Sequence, residues 1–360
     1  MIWTRTEFNL TDNKLKINCI GLGHWGPNLV RAIASHQNAR VGTVCDLDQS
    51  RLELVQQNIP SIESISTDTH ATLTDPSANA VVIATPTITH FSLVKTALEA
   101  GKHVLVEKPL TLDVAEAESL AALAQSRGLI LAVGHVFLFN SGVRAVFDYI
   151  QSGELGEIHY IFSTRTNLGP FRTDCNALWD LASHDISIIN YWLGASPLCV
   201  TARGHAFLHE KIEDVVIATY TYPRNIMACI HASWLNLSKV RQISIIGQKK
   251  MILFDDMDID APVRIYSIAA DRGTMTEYVD SFGNFRRGIR QGEVVIPRVA
   301  GGEPVANQLS HFIECVIHHK IPINNATMAV RVVRELAAAD SSMKNNSILT
   351  PINEPGSSIP

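Results

Sequence analysis

After a polar, aperiodic opening arm over residues 1–15, the chain settles into a repeat of short apolar runs and amphipathic stretches. KINCIGLGHWG reads as a strand entering a glycine turn, and PNLVRAIASH as a helix with Pro27 at its start. ARVGTVCDLD, NAVVIATP, KHVLVEKP and LILAVGH give further strands, and SRLELVQQN, HFSLVKTALEAG and AEAESLAALAQSRG give the helices between them. Strands that are apolar throughout, rather than alternating, belong to a parallel sheet covered on both faces. The pattern predicts an α/β fold beginning with a doubly wound, Rossmann-type domain over residues 16–135.

Beyond Asn140 the pattern changes. VRAVFDYIQSGELG predicts a helix, EIHYIFSTRTN a long strand, and CNALWDLASHDISIINYWLG one continuous helix stopped by glycine. LCVTARGHAF, EDVVIATYTY, NIMACIHASWL, RQISIIGQ and KMILFDD follow as strands with alternating character and hairpin-like spacing, so the second domain, residues 136–350, is α+β with an open, mostly antiparallel sheet. Helices are expected over 305–319 and 326–342, the segment 255–300 is irregular, and 351–360 form a loose tail. A sheet with helices on one face needs cover for the other, which predicts a homodimer or homotetramer assembled through it.

Of the 360 residues, 46% are apolar and 18% charged, with a formal net charge of −5, which excludes disorder and gives no basic footprint for nucleic acid. The six cysteines stand singly, without zinc spacing, as in a reducing compartment. No apolar leader and no membrane-length apolar run is present, so a cytoplasmic protein is expected, away from membranes and without a metal.

Gly21-Leu22-Gly23-His24-Trp25-Gly26 matches G-x-G-x-x-G between a predicted strand and a predicted helix. In that setting Gly21 makes the turn, Gly23 admits a pyrophosphate, and Gly26 lets helix and strand approach, with the helix N-terminus stabilising the phosphate charge. Asp46 ends the second strand about 20 residues further on, where a carboxylate accepts both ribose hydroxyls and favours NAD over NADP. Asp48 is its neighbour and rival, and Asp46 as a simple helix cap is the plainer alternative.

Glu107-Lys108-Pro109 closes a parallel strand at the end where open α/β sheets hold ligands. A lysine there can polarise a hydroxyl or stabilise an alkoxide; a solvated pair is the plainer reading. In the second domain Asn176, Asp180 and His184 recur at i, i+4 and i+8, one face of a regular helix, so that Asp180 could orient His184 as a base. Asp185 lies about 100° round that helix and is the poorer orienter. Arg165, Asn167 and Arg172 form a polar cluster suited to an anionic substrate group, or else a surface ion-pair array. His311, His318 and His319 fall on the solvated side of a helix.

GLGHWGPNLVRAI, ATPTITHFSLVKTALEAGKHVLVEKPL and WDLASHDISIINYWLG, in this order and spacing, resemble the glucose-fructose oxidoreductase/inositol dehydrogenase (Gfo/Idh/MocA) family over almost the whole chain from residue 16. The resemblance implies that Lys108 touches substrate and nicotinamide ribose, and that Asp180 and His184 are catalytic. It also implies that the turn of Thr85 and Pro86, with His90, lines the cofactor together with His24, Trp25 and Glu107, and that the Lys108–Pro109 peptide is cis. TRTNLGPFRTDCNALWDLASHD is most similar to the branch oxidising C3 of UDP-N-acetylglucosamine or its uronic acid, which would place Arg165, Asn167, Arg172 and Asn176 in the substrate region. The expected activity is NAD-dependent oxidation of a sugar hydroxyl, with either His184 or Lys108 as the base. The rivals are a free cyclitol or aldose dehydrogenase and a non-catalytic NAD-binding regulator.

Overall fold

The structure, a computed structural model, describes residues 14–267 and 293–352. Most of the expected opening arm, the middle of the irregular 255–300 segment and most of the tail therefore lie outside the described residues. The chain divides into two compact units: one holds residues up to Thr111, Ala115–Gly134 and Val305–Ala329, and the other holds Leu112–Val114, His135–Pro304 and Val330–Pro360.

The first unit is built on a parallel sheet of β1 (Leu15–Ile20), β2 (Ala39–Cys45), β3 (Ser64–Ser66), β4 (Ala80–Ile83), β5 (His103–Val106) and β6 (Leu131–Val133), in the order β3-β2-β1-β4-β5-β6. This is the Rossmann strand order, whose reversal beside β1 opens a crevice at the strands' C-terminal ends. β4, β5 and β6 are buried at every position, as apolar strands covered on both faces must be. Asn18 is the buried polar residue of β1. Its amide donates to the Thr72 carbonyl at 3.0 Å and to Asp75 at 3.2 Å, and its Oδ1 accepts from the Thr43 amide at 2.8 Å, where the β1–β2 register shifts.

Sequence order alone assigned 305–329 to the second domain, but this segment packs with the first unit. The reason lies at the edge of β6. Asn324 accepts from the Val133 amide through its carbonyl and donates its side-chain amide to the Val133 carbonyl at 2.6 Å, supplying the partner that a three-residue edge strand lacks. The helix Pro304–His318 buries Val305, Leu309, Phe312, Ile313 and Val316. His318 and His319 are exposed as expected, whereas His311 is half-buried and its Nε2 accepts from the Ile323 amide at 3.1 Å.

The second unit holds a sheet of β7 (Ile158–Leu168), β8 (Cys199–His205), β9 (Val215–Tyr222), β10 (Ile226–Ser233), β11 (Leu235–Gly247), β12 (Met251–Asp255), β13 (Val263–Tyr266), β14 (Val294–Val295) and β15 (Thr350–Pro351). Among the described residues its strands run in the order β14-β13-β12-β11-β7-β10-β9-β8-β15. Of these described strands β7 and β10 pair in parallel and the other neighbours antiparallel. One face buries Ile161, Ala218, Tyr220, Ala228, Ile230 and Ile245, while Tyr160, Phe162, Ile217 and Met227 on the alternate positions are exposed. The register sets Tyr160 opposite Met227, with Phe162 two residues along β7, whereas Ile217 lies opposite His231.

The continuous helix expected after Cys175 is interrupted. Leu178–Ala182 form a π-helical turn, and a regular α-helix follows over Ser183–Leu193, closed by Gly194 in the left-handed conformation. Among the described residues no helix is long and apolar enough to cross a membrane. All six cysteines carry free thiols.

Candidate active site

In the first unit the glycine turn has the form its residues require. Gly21 sits at φ 93°, and a Cβ there would lie 2.5 Å from the Ala84 carbonyl oxygen, so only glycine fits beside the end of β4. A Cβ on Gly26 would collide with the Gly21 carbonyl, which is the close helix–strand approach. Gly23 is different: a Cβ there would meet nothing within 4 Å, leaving open space above the turn. Helix α1 (Gly26–Ala34) starts from Trp25 without a side-chain cap and with no acid in its first turn, so nothing there opposes a phosphate. His24 and Trp25 are exposed on the turn, their rings edge to face at 5.2 Å.

Asp46 braces this turn from the end of β2. Its Oδ2 accepts from the Leu22 amide at 2.6 Å and its Oδ1 from the Asp48 amide at 2.9 Å. The capping role belongs to Asp48, which accepts from the Ser50 amide at 2.9 Å at the start of helix α2 (Gln49–Asn58) and pairs with Arg51 at 3.4 Å. An open cradle over Gly23, an uncapped helix start and a half-exposed carboxylate at the strand end fit a dinucleotide's pyrophosphate and ribose.

At the next strand ends, the Lys108–Pro109 peptide is cis. Lys108 and Glu107 are half-buried, and the Glu107 Oε2 accepts from the Lys108 amide at 3.3 Å. Gly134 leaves room for this carboxylate, since a Cβ there would stand 2.9 Å from its Oε2. Desolvation pushes the Glu107 carboxyl up to about 7, with the neighbouring Lys108 charge acting in the opposite sense. Thr85 and Thr89 share a hydroxyl hydrogen bond at 2.7 Å beside exposed Pro86. His90, expected to line the cofactor with this turn, has its imidazole buried at 1% exposure, with both nitrogens on backbone carbonyls.

In the second unit the π turn changes the expected helix face. Asn176 lies before the helix and caps it, accepting from the Trp179 amide at 3.2 Å. Its side-chain amide donates to Glu213 at 2.8 Å and Asp340 at 3.1 Å, so Asn176 anchors the helix start and is buried. Residues at i, i+4 and i+8 share one face only under uniform α-helical rotation, which a wider turn does not provide. Asp180 and His184 are both half-buried. The Asp180 carboxylate accepts from Arg172 at 3.3 Å and from the Trp234 indole at 3.2 Å. His184 packs edge-on to Phe137 with ring centres 4.9 Å apart.

Arg165 departs from its expected place among substrate contacts. It is 3% exposed and makes a two-pronged pair with Asp185, at 2.8 and 3.1 Å, with its guanidinium 4.4 Å from the Phe137 ring centre. The rotation that sets Asp185 off the Asp180 face turns it toward β7, where Arg165 waits. Arg172 is the half-exposed guanidinium of the cluster, bound to Asp174 at 2.6 Å as well as to Asp180. Asn167 donates to the Gly169 carbonyl within its own loop. Trp234, Phe137, Glu213 and Asp340 gave no signal in the sequence, because each is recruited from a distant element.

Comparison with known proteins agrees with this anatomy. Residues 15–135 match the model of an oxidoreductase family with an NAD-binding Rossmann fold, and residues 143–253 match the GFO/IDH/MocA C-terminal domain. The chain is 30% identical over 249 residues to the UDP-N-acetylglucosamine 3-dehydrogenase of Acidithiobacillus ferrooxidans, covering 67% of this chain and 74% of that protein. It is 24% identical over 309 residues to the myo-inositol 2-dehydrogenase of Thermotoga maritima, covering 81% and 90%. A solved structure of the Acidithiobacillus ferrooxidans dehydrogenase superposes with a TM-score of 0.77 at 25% identity, over 92% of this chain and 99% of that one. A strand–glycine turn–helix built for a dinucleotide, joined in one chain to this mixed sheet, is thus a combination with known relatives: the protein belongs to the Gfo/Idh/MocA family of NAD-dependent oxidoreductases.

Proposed function

We propose that the protein oxidises a secondary hydroxyl of a nucleotide sugar, at C3 of UDP-N-acetylglucosamine or its uronic acid. The observation that carries this reading is the near-full-length likeness to the solved UDP-N-acetylglucosamine 3-dehydrogenase. Arg172 supports it from within the chain, as a half-exposed guanidinium beside Asp180 that is suited to an anionic substrate group. NAD supplies the hydride acceptor when bound. The chain's own residues do the remaining work: His184 takes the hydroxyl proton, Asp180, held by Arg172 and Trp234, adds a carboxylate to the same helix, and the Lys108 ammonium stabilises the oxygen as negative charge develops. Arg165 supports this helix through Asp185 and is not a substrate contact.

One observation favours a second reading. Arg172 is already paired with both Asp174 and Asp180, so its charge is met by two carboxylates without a substrate anion, as would suit a neutral cyclitol or aldose. Initial rates of NADH formation from UDP-N-acetylglucosamine, its uronic acid, myo-inositol and glucose separate the two. A kcat/KM highest for a UDP-sugar supports the proposal; turnover of inositol or glucose well above both UDP-sugars replaces it with the cyclitol reading.

The cofactor preference rests on Asp46. Asp46→Ala is expected to weaken NAD binding roughly tenfold or more, since hydrogen bonds to a charged group contribute about 1.5–3 kcal/mol, and to narrow the margin over NADP. Calorimetric titration with each dinucleotide reads both effects, and an unchanged NAD affinity would remove Asp46 from the ribose site.

The sheet face that exposes Tyr160, Phe162, Ile217 and Met227 is, on this proposal, covered by the same face of a second copy, giving a dimer or tetramer with isologous contacts in the cytoplasm. Sedimentation equilibrium at micromolar protein is expected to give a multiple of the chain mass. A monomer mass contradicts it.

A further inference from the structure

The ladder between β4 and β5 ends at Ile83 and Val106, with the Glu107 amide still donating to the Ile83 carbonyl at 2.9 Å. Beyond that point the two strands run into separate turns, Thr85–Pro86 and Lys108–Pro109. His90, the first residue of the helix His90–Glu99, reaches both of them. Its Nδ1 stands 2.9 Å from the Pro109 carbonyl oxygen and its Nε2 2.9 Å from the Thr85 carbonyl oxygen.

A carbonyl oxygen only accepts, so each of these contacts is a hydrogen bond only where the nitrogen carries a proton. A neutral imidazole has one N–H and one lone pair, and a lone pair aimed at an oxygen at this distance repels it. Both contacts are satisfied together only by the imidazolium. Burial and the start of a helix both oppose that charge, and the two carbonyls, as charge-assisted acceptors, favour it. Glu107 and Lys108 are the ionisable groups on the turn it grips.

We propose that His90 is a positioning residue, held as an imidazolium, that fixes the Lys108–Pro109 turn to the Thr85–Pro86 turn and so sets where the Lys108 ammonium stands. The consequence for catalysis rests on the role given to Lys108 under the proposed function; the charge state does not. Neither turn could be held this way by a side chain with one donor, because the second carbonyl would be left facing a lone pair or a hydrocarbon.

The test combines ring-nitrogen NMR with kinetics. Protein labelled with 15N-histidine, its His90 signals assigned by their loss in His90→Gln, is expected to show both ring nitrogens of His90 protonated at neutral pH. One nitrogen in the unprotonated range overturns the proposal, whatever the enzyme's substrate proves to be. His90→Phe keeps a flat ring and removes both donors. It is expected to lower kcat by about 10- to 100-fold, through misplacement of Lys108, with substrate KM little changed. His90→Gln, which restores donor capacity at one end, is expected to recover part of that loss. A folded His90→Phe with kcat within about twofold of wild type overturns the positioning role, and so does a His90→Gln no better than His90→Phe. Should His90→Phe not fold, the NMR result and the kcat of His90→Gln against wild type decide in its place.

Discussion

His184→Ala is expected to lower kcat by about 10²–10⁴ while leaving NAD affinity near that of wild type. The separation follows from where the groups reside. The glycine turn, Asp46 and Lys108 belong to the first compact unit, whereas His184 sits at the start of a helix in the second, half-buried against Phe137. On the proposed role, removing the imidazole deletes the proton acceptor while every residue of the dinucleotide cradle is kept. Asp180→Asn is expected to lose rate as well, for an added reason. Its carboxylate accepts from Arg172 and Trp234, and an amide would turn a donor toward one of them. Stopped-flow NADH formation and NAD titration on the same preparations distinguish loss of chemistry from loss of cofactor. An unaltered kcat in His184→Ala would sink this assignment and leave Lys108 as the base.

Arg165→Ala is expected to act on stability far more than on KM. Asp185 is 1% exposed and takes both of its hydrogen bonds shown here from Arg165. Deleting the arginine leaves a carboxylate in the interior without its counter-charge, which costs about 3–5 kcal/mol. It also removes the guanidinium stacked on Phe137, the ring against which His184 packs. Replacing both partners with apolar side chains, Arg165→Met with Asp185→Leu, is expected to return much of the loss, because the penalty is the unpaired charge rather than the missing pair. Urea unfolding followed by a probe in the second unit measures this. A stable Arg165→Ala with a raised KM for UDP-sugars would instead restore Arg165 to the substrate contacts.

The doubly wound first domain was legible because five of its strands are largely apolar and its turn spends three glycines, whereas β3, a three-residue Ser-Ile-Ser strand at the sheet edge, carries no such signal. Asp46 was legible for the same reason, as a polar residue at the end of an apolar run. The long strands of the second sheet were legible from alternation, but β13, β14 and β15 were not, since two to four residues carry no period. The return of 305–329 to the first unit was hidden because its cause, Asn324 on the edge of β6, is a contact between residues 191 positions apart. The π turn was hidden too: the run from Asn176 to His184 has the composition of an ordinary helix, and what widens it is tertiary. That one turn explains why Asn176 became a cap held by Glu213 and Asp340. Arg165 was read as an anion contact because its sequence neighbours are polar, while its partner lies 20 residues on.

Hydride removal from C3 of a UDP-sugar by this chain with NAD is measured by supplying UDP-N-acetylglucosamine, or its uronic acid, carrying deuterium only at C3, and weighing the NADH formed. NADH that carries the deuterium, formed more slowly than from the unlabelled sugar, is the expected result. Deuterium-free NADH from the labelled sugar, or no NADH from either UDP-sugar while myo-inositol is oxidised, would contradict it.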